Sequence, residues 1–340
     1  MMKMHLKNLV AGMFGAVALM SASALFATEA QARELRIAMQ TNPGTAQYDG
    51  LEKFAELLKQ KSGGKLTAKI FGGGVLGGDL AVISAMQGGT IDMSQMNASL
   101  LNGLSKEFAV LDFPFLFESA KEAYAVMDGP IGKELMDLLP AKGLVGLSYP
   151  ELGFRHTSNS KRPVKKLEDL AGLKIRVIQT PVYVDLMNAL GANATPLPFP
   201  EVYNALEQRA VDGATNPLIT TVVMKFDEVQ KYMTLTRHQY NPQIVIIGKR
   251  AYDSLSPDEQ KVLREAAQEA AVYEREVSQR KEKEALEVLK TKLEVTELAP
   301  EEFAKMRERV KPVIEKYTQQ VGPEFVGRVY AEIDKVRAAK

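Results

Sequence analysis

From residue 35 onward, short runs in which apolar and polar positions alternate by twos are interleaved with stretches whose apolar positions return every three to four residues. The first rhythm predicts strands over Leu35 to Met39, Lys65 to Phe71 and Thr90 to Met96. The second predicts helices near Tyr48 to Lys61 and Asp79 to Gln87, with Tyr48, Leu51, Ala55 and Leu58 on one stripe of the first. A similar set follows, with strands near Leu144 to Tyr149, Leu173 to Ile178, Ala194 to Leu197 and Val211 to Ala214, and helices near Pro181 to Leu190 and Pro200 to Gln208. Such alternation predicts an α/β fold, and two similar units with a cleft between them would fit it.

Ser256-Pro257-Asp258-Glu259 combines an N-cap serine, proline at the first helical position and a glutamate placed for a capping box. No breaker follows until about Leu293, so the pattern predicts one helix long enough to pack along both units, with Lys281-Glu-Lys-Glu284 as a solvated face. Pro300-Glu-Glu302 and Gly322-Pro323 open two terminal helices.

At the other end, Lys3, His5 and Lys7 precede an apolar run from Leu9 to Met20 and an Ala30-Gln31-Ala32 site. Residues 1–32 read as a signal peptide cleaved after Ala32, which implies an exported, periplasmic protein. The apolar run is short for a membrane span of about 20 residues. The chain has no cysteine, which excludes disulfides and thiolate metal sites. Beyond residue 32, basic and acidic residues are equal in number and interspersed, so no charge excess points to nucleic acid or an anionic membrane surface. Roughly 300 residues then remain, enough for two domains.

The candidate chemistry centres on two arginines in strand-like segments, Arg155 in Leu152-Gly-Phe-Arg-His-Thr-Ser-Asn159 and Arg176 in Gly172-Leu-Lys-Ile-Arg-Val-Ile178. A guanidinium presents a planar fork of donors that matches a carboxylate. Asp212-Gly-Ala-Thr-Asn-Pro217 could bring the amide of Asn216 to the same place, which suggests a site for a small organic acid. The same alternation is compatible with both arginines on the solvent faces of their strands. Gly72-Gly-Gly-Val-Leu-Gly77 satisfies a dinucleotide-binding spacing, with Asp92 as a ribose-binding acid, but a glycine-rich turn after a strand needs only left-handed backbone angles. No Walker lysine follows, His156 and His238 lack zinc spacing, and no nucleophile elbow is present.

Taken in order, Lys53-Phe-Ala-Glu-Leu57, Gly77 with Asp79, Gly89-Thr-Ile-Asp-Met93, Leu111-Asp-Phe-Pro-Phe115, Gly153-Phe-Arg155, Gly172-Leu-Lys-Ile-Arg-Val177, Pro198-Phe-Pro-Glu-Val-Tyr203, Val211-Asp-Gly213 and Asn216-Pro217 carry a resemblance. The chain resembles the periplasmic solute-binding subunits of tripartite ATP-independent periplasmic (TRAP) transporters, the DctP-like family, over about residues 35 to 290. The resemblance implies a two-lobed periplasmic-binding-protein fold that closes like a Venus flytrap, with a ligand cleft between lobes and a long helix spanning both. Its first lobe would hold 33–152 plus about 242–281, its second 153–241 plus about 282–310, and 311–340 would form C-terminal helices packing on the lobes. The chain would capture a small organic acid, without cofactor or catalysis, and deliver it as a monomer to the integral membrane subunits of an ion-coupled TRAP permease. C4-dicarboxylates or related small acids are favoured. A sensor kinase, another transporter type or a periplasmic enzyme are the alternatives. Within the resemblance, Arg176 clamps the ligand carboxylate, Arg155 adds charge, Asn216 is the amide ligand and Phe199 forms one wall. Gln40 and Asn97 would contact the variable part of the ligand. Asn97 stands where sialic-acid-binding relatives carry an acid, and Thr215 where a polar, often acidic residue is common; both depart from that pattern.

Overall fold

The computed structural model describes residues 32–339; the proposed signal peptide and the bond after Ala32 lie outside the described residues, apart from Ala32 itself. The chain opens with β1 (Arg33–Met39), α1 (Ala46–Lys61), β2 (Leu66–Phe71), α2 (Asp79–Gly88) and β3 (Met93–Asn97). Thr45 caps α1 by accepting from the Tyr48 amide at 3.3 Å. Leu51, Phe54 and Leu58 bury one face of that helix, while Tyr48 and Ala55 are half-buried. Two 3-10 segments, then α3 (Ala120–Asp128) and α4 (Pro130–Asp137), lead to β4 (Leu144–Ser148) and β5 (Glu151–Asn159). The second set is β6 (Lys174–Val177), α5 (Pro181–Ala189), β7 (Asn193–Pro196), α6 (Val202–Glu207), β8 (Gly213–Asn216) and α7 (Leu218–Val223). The chain ends with β9 (Tyr232–Gly248), α8 (Lys249–Asp253), α9 (Pro257–Lys292), β10 (Glu294–Thr296), α10 (Pro300–Val321) and α11 (Pro323–Ala338).

All strands join in one sheet of order β2-β1-β3-β9-β5-β8-β6-β7, with β4 and β10 also on β9. The two halves share β9. Its Gln243 to Ile247 stretch pairs antiparallel with β3, whereas Tyr232 to Thr234 and Gln239 to Pro242 pair with β5. The strands expected from the sequence do not include 232–248, where Arg237, His238, Gln239 and Asn241 interrupt the apolar pattern ahead of Ile244 to Ile247 and Pro242 cannot donate to a ladder. Pro242 is tolerated because its partner β5 shifts register there, bulging at Gly153 with φ +103°.

Helix α9 starts with the expected capping box: Ser256 Oγ accepts from the Glu259 amide and Glu259 accepts from the Ser256 amide at 2.8 Å. Its 36 residues span about 54 Å at 1.5 Å per residue. Leu263, Ala266, Ala267 and Ala270 pack into the core of β1 and α1, while Ala285, Leu289 and Leu293 pack with Leu218, Ile219 and Met233. The Lys281 to Glu284 stretch is more than a solvated face. Lys281 donates to the Gly44 carbonyl at 2.8 Å and ion-pairs with Asp49, while Glu282 accepts from the Leu218 and Ile219 amides at 2.9 and 3.1 Å. Neighbouring residues therefore tie the helix to opposite halves. A boundary at residue 310 falls inside α10, which runs unbroken from Pro300 through Pro312.

Candidate functional site

A cleft with a cavity volume of about 60 Å³ lies where the two halves meet. Its first wall carries Gln40 from the end of β1, Asp79 from the start of α2 and Asn97 from β3; the second carries Arg155, Arg176, Asn216 and Phe199. Gln40, Asn97, Arg176 and Asn216 come from the carboxyl ends of β1, β3, β6 and β8, the usual place for a ligand in open α/β sheets, and Arg155 joins them from antiparallel β5.

Neither arginine faces solvent: Arg155 is 0% and Arg176 2% exposed. The alternation along β6 is compatible with a wet face, but that face is covered by the opposite half. Arg155 donates from Nε and Nη2 to Thr215 Oγ1 at 3.1 and 3.0 Å, from Nη1 to Asn241 Oδ1 at 2.9 Å and from Nη2 to Asn216 Oδ1 at 3.4 Å. Arg176 donates twice to the Leu197 carbonyl, from Nε at 3.0 Å and Nη2 at 2.7 Å, and its buried Nη1 has no partner. Every one of these bonds goes to a neutral group. A buried cation without a carboxylate in contact is costly, and such charges are ordinarily paired. Burial first, and then the neighbouring Arg155, push Arg176 down to about 9, which leaves it charged at neutral pH. Burial likewise lowers Arg155, opposed by Tyr183 and Asp112.

Asn216 lines the same wall; its Oδ1 is taken by Arg155, which fixes the carboxamide and leaves a buried Nδ2 donor without a partner. Phe199 is half-buried, edge-on to Phe226 with ring centroids 6.0 Å apart and 5.7 Å from the Arg176 guanidinium carbon. It is thus both a cleft wall and part of a small core. In the first wall, Gln40 donates from Nε2 to the Gly77 carbonyl at 3.0 Å, and its Oε1 is buried and unpartnered. Asn97 is placed in the cleft but already used: its Oδ1 accepts from the Ser99 amide at 3.0 Å and the Ser99 hydroxyl at 2.6 Å, capping the next turn. Its Nδ2 reaches Tyr183 Oη at 3.5 Å.

Asp79 also lines the cleft, although the sequence marks it only within the family pattern and not as a ligand contact. Its Oδ1 is buried without a partner, and burial pushes the carboxyl up to about 7 against the pull of Arg176 and Gln40. Behind Arg155, Asp112 is also pushed up to about 7 by burial, opposed by Ser99, Thr180 and Arg155. The only earlier signal for Asp79 is its pairing with Gly77 in the family pattern.

The glycine-rich turn does not present a nucleotide site. Asp92 Oδ2 accepts from the Arg36 amide at 2.9 Å and from Arg36 Nε at 3.1 Å, which engages one oxygen of the carboxylate assigned to a ribose. The turn instead meets the opposite wall: a Cβ on Gly74, whose φ is +69°, would stand 2.5 Å from Pro200 Cγ and 3.0 Å from Gln40 Oε1. His156 and His238 are buried and lowered by that burial, with nearby arginines adding to it, so both are neutral.

Residues 37–320 match the family model described as bacterial extracellular solute-binding protein, family 7 (DctP). The chain is 41% identical over 246 residues to the 2,3-diketo-L-gulonate-binding periplasmic protein YiaO of Escherichia coli (strain K12), covering 72% of this chain and 75% of that one. Its fold is similar to a TRAP periplasmic solute-binding protein from Ochrobactrum anthropi whose C-terminus is bound in the ligand-binding pocket, with TM-score 0.81, 51% identity and coverage of 92% and 98%. It is also similar to the sugar acid binding protein DctPAm from Advenella mimigardefordensis strain DPN7T in complex with galactonate, with TM-score 0.88, 39% identity and coverage of 89% and 98%.

Proposed function

Since this chain belongs to the DctP family of bacterial extracellular solute-binding proteins, family 7, we infer that its cleft captures a small organic acid through Arg176, with Arg155 and Asn216 beside it. The family is one of TRAP periplasmic binding proteins, substrate carriers rather than enzymes, which work with TRAP membrane subunits. The observation that carries the acid reading is the pair of fully buried guanidiniums bonded only to neutral groups, one with an unpartnered Nη1 in the cleft wall next to the unpartnered Asn216 Nδ2. An incoming carboxylate supplies a negative charge in direct contact and an acceptor for each of the two donors. Relatives named for 2,3-diketo-L-gulonate and galactonate, both carboxylic acids, support the same chemistry here.

Arg176 need not act as a full two-pronged fork. With Nε and Nη2 directed at Leu197, the free Nη1 and Asn216 Nδ2 make the two donors for one carboxylate, and Arg155 contributes charge from behind. Phe199 closes the side of the site, and Gln40 faces the ligand from the first lobe. Asn97 supports the site through Ser99 and Tyr183.

The lobes in this reading are 33–152 plus about 242–281, and 153–241 plus about 282–299, with the helices from Pro300 onward packed on them. A ligand touching both lobes favours the closed form through contacts made only there, and β5, β9 and α9 absorb the movement. The protein is exported with cleavage after Ala32 and acts as a monomer. Calorimetric titration of a panel of organic acids, followed by inspection of the recovered ligand, tests the function: saturable one-to-one binding with the acid unchanged is expected, and conversion to product would overturn it.

A further inference from the structure

We propose that the acid is a polyhydroxylated monocarboxylate, such as an aldonic acid, and that Asp79 selects it over a dicarboxylate by accepting hydrogen bonds from its hydroxyls. This rests on the organic-acid reading of the same cleft and names the class of acid.

The unpartnered polar atoms of the cleft differ between its walls. Beside Arg176 are two donors, Arg176 Nη1 and Asn216 Nδ2. The facing side carries two acceptors, Asp79 Oδ1 and Gln40 Oε1, and one donor, Gln95 Nε2. The Gln40 assignment is fixed by its own geometry, since Nε2 must donate to the Gly77 carbonyl and the oxygen is what remains. An ionised Asp79 cannot donate at all. A ligand that fills both walls therefore needs an anionic acceptor group at one end and hydrogen-bond donors at the other.

A dicarboxylate meets this arrangement badly. Its second carboxylate would bring acceptor against acceptor and negative charge against Asp79, and like charge in a buried site is strongly unfavourable. A plain fatty acid leaves Asp79 and Gln40 buried and unsatisfied, and sites built to bond a hydroxyl reject analogues lacking it. A hydroxyl satisfies them, because it donates to a carboxylate while its oxygen can accept from the unpartnered Gln95 Nε2 on the same side. Asp79 holds its place as the first residue of α2, where the helix N-terminus favours an acid, and Gly78 brings the backbone close to the opposite wall, where a Cβ would stand 3.2 Å from Pro198 Cβ.

The test is calorimetric titration of the full mature chain at pH 8, above the value near 7 to which burial lifts Asp79. Two length-matched sets are used: D-gluconate, D-galactonate, adipate and hexanoate, and D-erythronate, succinate and butyrate. At least one hydroxy acid should bind tenfold or more tightly than the diacid and the plain acid of its set. In Asp79→Ala the affinity for that hydroxy acid should fall at least tenfold while affinity for the diacid of equal length rises. A variant that merely folds poorly would lose both, and the wild-type ranking stands without it. A wild type that prefers succinate or adipate, or an Asp79→Ala variant with unchanged preference, would overturn the proposal while leaving the acid reading intact. Binding of none of these acids would overturn both.

Discussion

The guanidinium of Arg155 on β5 places two of its donors, Nε and Nη2, on the single hydroxyl of Thr215 on β8, at 3.1 and 3.0 Å. The contact orients a fully buried positive charge without neutralising it. An acidic residue at position 215 would do both, so the threonine leaves more of the positive potential for a ligand.

Thr215→Val keeps the shape and removes the acceptor. Two N–H groups of a buried cation then lose their partner, which costs about 1 to 3 kcal/mol of stability. Urea denaturation should show that loss, while Thr215→Ser restores most of it; equal stability of wild type and Thr215→Val would mean that Asn241 and Asn216 suffice to hold Arg155.

The close approach of Gly74 to Pro200 makes a prediction about closure. Gly74→Ala and Gly63→Ala both place a side chain at positive φ, +69° and +61°, and both should lose about 1 to 2 kcal/mol for that reason alone. Only at Gly74 does the new Cβ meet the opposite wall, at 2.5 Å, whereas at Gly63 nothing lies within 4 Å. Ligand affinity should therefore fall at least tenfold in Gly74→Ala and stay unchanged in Gly63→Ala. Equal affinities in the two variants would show that the lobes do not close this far.

Asp112 gives a pH dependence of defined sign. Burial raises its carboxyl from 3.8 to about 7 in the folded protein, so between those values the native state holds a proton that the unfolded chain has released. Its contribution is most favourable below about pH 4, declines as pH rises towards 7 and is flat above. Relative to Asp112→Asn, wild type should lose as much as about 4 kcal/mol across that window, at 1.36 kcal/mol per unit. Chemical denaturation of both proteins from pH 4 to 8 measures the difference, and parallel profiles would contradict the assignment.

Much of this was legible in the chain. The strands and helices around Leu35, Tyr48, Asp79, Leu173 and Pro181, and the capped start of α9, follow from local periodicity and end signals, which act within a few residues. Arg155 and Arg176 stand out as charges in strands, but their burial does not, because the face that alternation marks as polar is covered by residues far along the chain. The same non-local packing hides Asp79, which lines the cleft opposite Pro198 and Phe199 of the other half. Strand β9 escaped because its polar middle serves the site and its neighbours: His238, Gln239 and Asn241 are buried in hydrogen-bonding positions that a strand pattern would fill with apolar residues. Glu282 reads as one charge in a charged run, and only the structure shows it capping α7.

The most direct measurement of the central claim is a thermal-shift comparison of wild type and Arg176→Ala, after unfolding and refolding to remove any carried-over ligand, against organic acids and their amides. Ligand at 100 times its dissociation constant stabilises the folded state by about 2.7 kcal/mol. The account predicts a shift of several degrees with at least one acid in wild type, none with its amide, and none in Arg176→Ala. An amide that stabilises as well as its acid, or an undiminished shift in Arg176→Ala, would contradict it.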